Sequence, residues 1–489
     1  MKAVALSALL VCATMGCAAG RGSLPLPATT SGPTADGSGV VSAGTGGAVA
    51  VTAGDDGSPA RSTWIGASAA SQYVLVGDQD QFVGVWVDVP RSQQRAHVPM
   101  AVTLTIDTSG SMSGDKIVRA REAAQVLVRS MKDGDLVSIQ AFSGTAFELV
   151  APTVLEARSR AMIAGTIAEL SADGATNLHD ALHLAIGRAR MAPASHPVRR
   201  VVLISDGRAT AGPTSRETLA RVAESGAEHG VQVSALGVGL DYDEEALNAI
   251  AVRSSGRLYH LSDAQEMAGI IRGELGLLQS TMAVGAYVQV VPAPGVHLLA
   301  ADGQRARRTG EGALQIPLGT LFSGQRRELL IRYRASGGEG EGLRPIVSAR
   351  LHFTDPNDDG IQRVHEVVAR ASATRDATVV AAHQNADVQA IIAVQQAART
   401  ASEVRVEVTA GNFEAADQQL AQAESQLRVQ ASMASRARDR QRISAQAEGI
   451  ARSRRAVQAA AKAPAPHRAK AARASSLELN DMAMDAMGY

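Results

Sequence analysis

Asp107, Ser109 and Ser111 stand on alternate positions of the stretch IDTSGSM, directly after an apolar run from Met100 to Ile106. Thr176 in GATNL follows a glycine just before a helical pattern, and Asp206 in ISDG ends a second apolar run. These five side chains offer only oxygen: two carboxylates and three hydroxyls. All-oxygen ligation with few charges suits a hard cation such as Mg²⁺ or Mn²⁺. With only two carboxylates around it, a bound dication keeps net Lewis acidity. An open coordination position can then accept an acidic side chain from a partner protein. The competing reading is that Asp107 and Asp206 only cap turns and helices.

The elements around these residues place them together. Over 98–279, apolar strands (VPMAVTLTID, DLVSIQAF, VRRVVLISDG, VQVSALGVG, GRLYHL) alternate with helical patterns (KIVRAREAAQVLVRSM, TNLHDALHLAIGRAR, SRETLARVAESGAEHG, DEEALNAIAVRSSG, AQEMAGIIRGELGLL). AFELV reads as a short strand partner of DLVSIQAF. Such alternation predicts an α/β class, a doubly wound, mostly parallel sheet with helices on both faces. Ligands bind such sheets where strands end at their carboxyl edge, and Asp107 and Asp206 both lie there.

D-x-S-x-S, Thr176 and Asp206, in this order and at domain-scale spacing, resemble the metal-ion-dependent adhesion site of the von Willebrand factor A domain. All five positions of that motif are intact. The resemblance implies Ser109, Ser111 and Thr176 as direct ligands, with Asp107 and Asp206 holding the metal directly or through water. It further implies a Mg²⁺ or Mn²⁺ ion completed by a carboxylate of a protein ligand. The whole layout is also similar to secreted bacterial A-domain lipoproteins.

On either side, residues 61–97 and 280–375 carry alternating apolar and polar runs with turn chemistry between them. They read as two parts of a β-sandwich with the α/β domain inserted between them. Residues 376–461 are rich in Ala, Gln, Arg and Glu without proline and predict helices. Residues 462–489 read as a flexible basic linker and tail.

The N-terminus reads as an export signal over 1–19: Lys2, an apolar stretch, then small residues. ATMGC resembles a bacterial lipoprotein signal with Cys17 as the lipidated residue; cleavage after Ala18 or Ala19 is the alternative. Residues 20–60, rich in Gly, Ser, Thr, Ala and Pro, read as a tether. The expected setting is therefore a cell envelope, with a membrane reached through the lipid. The only cysteines are Cys12 and Cys17, which excludes a disulfide framework or thiolate metal site beyond them. Lys+Arg and Asp+Glu both number 48, so charge gives no argument for nucleic acid.

Other motifs compete weakly. GSMSG nearly matches a nucleophile elbow, but Met112 holds the nucleophile position, and no nucleophile–base pair is evident. A binding protein rather than an enzyme is expected. An alternative is a scaffold acting mainly through the C-terminal helices. His179 and His183 lie four apart but lack a third ligand. Asp355, Asn357, Asp359, Gly360 and Glu366 satisfy the EF-hand loop pattern for Ca²⁺, although their flanks read as strands and favour a hairpin turn.

Overall fold

The computed structural model describes residues 49–52, 63–91, 97–240, 242–261, 263–336, 340–434 and 437–487. The expected signal, Cys17 and most of the tether lie outside them.

Part of the expected tether is corrected: Val49–Thr52 forms a strand, β1, paired in parallel with β17, the strand over Ile361–Thr374. The first β segment holds β2 (Ile65–Ala69), β3 (Tyr73–Leu75) and β4 (Gly77–Asp88). The α/β unit begins with β5 (Met100–Asp107), α1 (Asp115–Ser130), β6 (Leu136–Phe142), β7 (Ala146–Val154) and α2 (Ala157–Ala168). It continues through α3 (Leu178–Arg190), β8 (Val198–Ser205), α4 (Arg216–Ala227) and β9 (Val231–Val238). It closes with α5 (Glu244–Arg253), β10 (Leu258–Leu261) and α6 (Met267–Gln279). Its six strands run in the order β10-β9-β8-β5-β6-β7. All neighbours are parallel except β6 and β7. Every residue of β5 is buried, as a strand covered on both faces must be. Helices α1 and α6 pack against one face, and α3, α4 and α5 against the other.

The chain leaves α6 and enters β11 (Thr281–Pro292) after a single residue. β12 (Val296–Asp302), β13 (Arg307–Arg308), β14 (Leu314–Phe322), β15 (Arg326–Ala335), β16 (Gly340–Asp355) and β17 (Ile361–Thr374) follow. One sheet runs β1-β17-β16-β11-β14-β13, with β3 also on β17; the other runs β12-β15-β4-β2. The two share one apolar core built from both flanking segments, so they form a sandwich with the α/β unit inserted between β4 and β11. Register across the insertion is direct: Arg326 opposes Asp88 and Leu329 opposes Val85.

His365 sits in that sandwich, edge-on to the Trp64 and Phe353 rings. Its Nδ1 accepts the Trp64 backbone N–H at 3.1 Å, which requires the neutral ring. Burial, aided by the nearby Arg363 guanidinium, pushes its pKa down to about 4. The unfolded chain then binds the extra proton between about pH 6.5 and 4, so stability falls as pH drops through that window. The full effect is on the order of 3 kcal/mol. We expect the urea midpoint to fall between pH 7 and 4.5, and His365→Gln to flatten that fall. An equally steep fall in the variant would rule the histidine out as its source.

The helices are α7 (Ala377–Ala382), α8 (Ala386–Ala410), α9 (Phe413–Met433), α10 (Ala437–Lys462) and α11 (Ala465–Met487). The last four pack as an up-down bundle, each against its neighbours in sequence and α11 back on α8. The expected flexible tail at 462–489 is therefore corrected: 465–487 is one helix. Its prolines, Pro464 and Pro466, fall just before and within the first turn, where a missing N–H costs nothing. Leu477 on α11 is buried in the core formed by α3, α4 and α5. Arg473 donates to the carbonyls of Leu240 and Tyr242. Near its start α8 packs Val388 and Ile391 against Gly84 of the sandwich. Further along, Arg405 pairs with the buried Glu244 of α5 at 3.0 Å. The bundle thus ties sandwich and α/β unit together.

Candidate metal centre

Asp107 ends the central strand and is fully buried. Its Oδ1 accepts the Ser109 backbone N–H at 2.8 Å, and its Oδ2 accepts the Ser205 hydroxyl at 2.6 Å. Burial pushes this carboxyl above its ordinary range, the Ser205 and Ser109 hydrogen bonds oppose that, and the Asp206 charge adds to it. Beyond Asp107 the chain turns through Gly110–Met112. The turn brings the Ser109 and Ser111 hydroxyls to 3.1 Å from one another. Ser111 also donates to Asp206 Oδ1 at 2.7 Å. Met112 points into the core and is fully buried, which removes it from any surface chemistry.

Thr176 arrives on the loop before α3, held by its neighbours' backbone. Its N–H donates to Thr210 Oγ1 at 2.9 Å, and its carbonyl accepts the N–H groups of Thr210 and Ala211. Asp173 N–H donates to the Thr108 carbonyl, and Gly110 N–H to that of Gly174. Gly207 shows the convergence. A Cβ on it would lie 3.4 Å from Ser111 Oγ and 3.6 Å from Thr176 Oγ1. Asn177 caps α3 through Asp180 N–H and donates to the Gly144 carbonyl, joining a fourth loop.

All five expected residues therefore meet at the carboxyl edge of β5 and β8. Three others escaped the sequence reading: Ser205, which fixes Asp107; Asn177, which staples the loops; and Lys116, whose ammonium contacts Asp206 Oδ2. A serine at a strand end and a lysine in a first helical turn carry no signal of such a role, and Asn177 reads only as a helix cap.

The donor set fits a hard dication. Two buried carboxylates lie together, the Asp206 charge raising the cost of charge on Asp107, and the surrounding donors are hydroxyl oxygens. Among the described residues no group of three or more His, Cys, Asp or Glu is placed to hold a metal, so hydroxyls must complete any set.

The segment 355–366 is the hairpin turn that its flanks favour, and the weaker EF-hand reading is corrected. Asp355 ends β16 and Ile361 begins β17, so the segment is a hairpin turn, with Asp359 and Gly360 at positive φ. Asp355 binds Asn357 N–H and Arg363, and Asp358 also meets Arg363. Glu366 lies along β17 opposite Arg350 and accepts from it and from Ser348. Asp355, Asn357, Asp359 and Glu366 do not form a Ca²⁺ cage. The His179 and His183 rings on α3 lie tilted at 60° with centroids 4.5 Å apart, and no third ligand joins them among the described residues. In LDYDEEAL, Asp243 caps α5 by accepting Ala246 N–H.

Residues 101–272 match the von Willebrand factor type A domain. An uncharacterized protein of Synechocystis is 25% identical over 243 residues, covering 48% of this chain and 57% of the relative. Inter-alpha-trypsin inhibitor heavy chain H4 of Sus scrofa is 31% identical over 181 residues, covering 34% of this chain and 19% of the relative. The chain thus spans about half of the one and a fifth of the other. Among solved structures, a von Willebrand factor type A protein from Catenulispora acidiphila superposes with a TM-score of 0.69 at 17% identity. That match covers 86% of this chain and 96% of the other, so the likeness of fold extends beyond the α/β unit.

Proposed function

We propose that the von Willebrand factor type A domain at residues 101–272 binds a carboxylate of a partner protein through a divalent cation, Mg²⁺ or Mn²⁺, held at Asp107, Ser109, Ser111, Thr176 and Asp206. The observation that carries this reading is the convergence of the five oxygen-bearing side chains from three loops, tied by backbone hydrogen bonds. A cation bound there supplies Lewis acidity toward an incoming carboxylate. The chain's own part is to orient the oxygens: Ser205 and Ser109 N–H fix Asp107, and Ser111 fixes Asp206. Neutral hydroxyls leave the ion short of negative charge, and the partner provides the rest. The role is recognition rather than catalysis.

Enhanced relaxation of solvent water protons by protein-bound Mn²⁺ tests this reading. An acidic peptide should displace bound water and lower the enhancement, while its amide analogue should not. Equal responses to the two would contradict carboxylate recognition.

We place the protein in a cell envelope, anchored through a lipid on Cys17, on the strength of the N-terminal sequence. No helix among the described residues is long and apolar enough to cross a membrane. Cys17→Ser should move the protein from the membrane to the soluble fraction; unchanged membrane retention would refute the lipid anchor.

A further inference from the structure

Lys116 is the second residue of α1, and its side chain reaches back over the D-x-S-x-S turn. Its ammonium contacts Asp206 Oδ2 and donates to the Ser111 carbonyl at 3.3 Å. Asp206 Oδ1 is meanwhile engaged by the Ser111 hydroxyl. The two carboxylates are therefore treated differently. Asp107 is satisfied by a backbone N–H and a hydroxyl, both neutral. Asp206 alone is met by a full positive charge, that of Lys116, whose side chain is about one-third exposed while Asp206 itself is buried. Other charges nearby on the chain are Asp115, ion-paired with Arg119, and the exposed Arg208.

We infer that Lys116 is a built-in counter-charge which lowers the affinity of this centre for its cation and leaves the loaded centre positive, so that a partner carboxylate is required to neutralise it. The inference rests on the reading proposed above and deepens it. Two carboxylates and one ammonium sum to a single negative charge; a dication then leaves one positive charge. Without Lys116 the loaded centre is formally neutral, and its pull on an anionic ligand falls to the Lewis acidity of the cation alone. Like charges a few ångströms apart in a partly buried site repel by enough to shift binding by at least about tenfold.

The test uses Lys116→Met, which keeps much of the stem's packing, and Lys116→Arg, which keeps the charge. In chelator, Lys116→Met should melt lower than the parent, because two buried carboxylates then lack their counter-charge. In Mg²⁺ titration by calorimetry it should bind at least about tenfold more tightly, with Lys116→Arg close to the parent. Uptake by Lys116→Met where the parent shows none supports the inference as well. Parent uptake with equal or weaker binding by folded Lys116→Met overturns it and leaves the metal centre standing. An unchanged melting temperature in chelator also overturns it. No uptake by either protein overturns this inference and the metal centre together.

Discussion

Asp107→Ala should abolish Mg²⁺ and Mn²⁺ binding, a loss of at least about a thousandfold, or about 4 kcal/mol. Asp107 is the buried charge around which the rest of the centre is arranged. It holds the start of the serine turn through Ser109 N–H and is itself held by Ser205. Removing it takes away a carboxylate and loosens the hydroxyls of the next turn together. The fold should survive, for an electrostatic reason. Burial and the neighbouring Asp206 both disfavour charge on Asp107. Asp107→Asn, of nearly the same shape, should therefore match or exceed the parent's melting temperature in chelator while taking up no cation. Thr176→Ala removes a neutral oxygen, and its loss of affinity should be smaller. Calorimetry on the parent and three variants checks this. Parent-like binding by folded Asp107→Asn would exclude the carboxylate as a determinant.

Glu274→Ala should cost about 3–5 kcal/mol of stability, the largest loss expected from one surface-distant substitution. Glu274 on α6 is buried beside Arg200 of β8, each only 4% exposed. Its Oε1 lies 3.4 Å from Arg200 Nε and accepts the Ser234 hydroxyl at 2.6 Å; its Oε2 accepts from Tyr259 at 2.5 Å. One carboxylate thus joins α6 to β8, β9 and β10. Truncating it leaves the Arg200 guanidinium buried without its counter-charge, and the Tyr259 hydroxyl without an acceptor. The double variant Arg200→Met/Glu274→Leu removes both charges and should recover most of the loss, because a buried pair contributes little net stability over apolar packing. Urea unfolding of the two variants separates the cases. A Glu274→Ala loss below about 1 kcal/mol would mean that the network adds little to holding α6.

The centre was legible because its chemistry is concentrated in short motifs at strand ends, where residue type alone announces a ligand. The supporting residues were not. Ser205 is one more polar residue after a buried strand, and Lys116 looks like any solvated lysine in a first helical turn. The doubly wound order was legible from alternating strand and helix patterns. Helix α2 was passed over although Ser159, Ile163 and Ile167 sit at spacing four along it. Its capping box is reversed, with Glu156 as cap and Ser159 as the third residue, so the usual start signal is missing. Helix α11 was hidden by two prolines and a basic, alanine-rich stretch. Part of its burial comes from Leu477 finding a core formed more than two hundred residues earlier in the chain, the rest from the helical bundle. The pairing of β4 with β15 is equally non-local. Alternation shows that each is a strand, but no local pattern shows which strand it meets.

Three loops build one cation site. Crystals of the protein soaked in Mn²⁺ and measured near the manganese absorption edge test it most directly. One strong anomalous peak is expected among the oxygens of Ser109, Ser111 and Thr176, beside Asp107 and Asp206, and none in crystals of Asp107→Asn. A peak elsewhere, or one at this site that persists in Asp107→Asn, would contradict it.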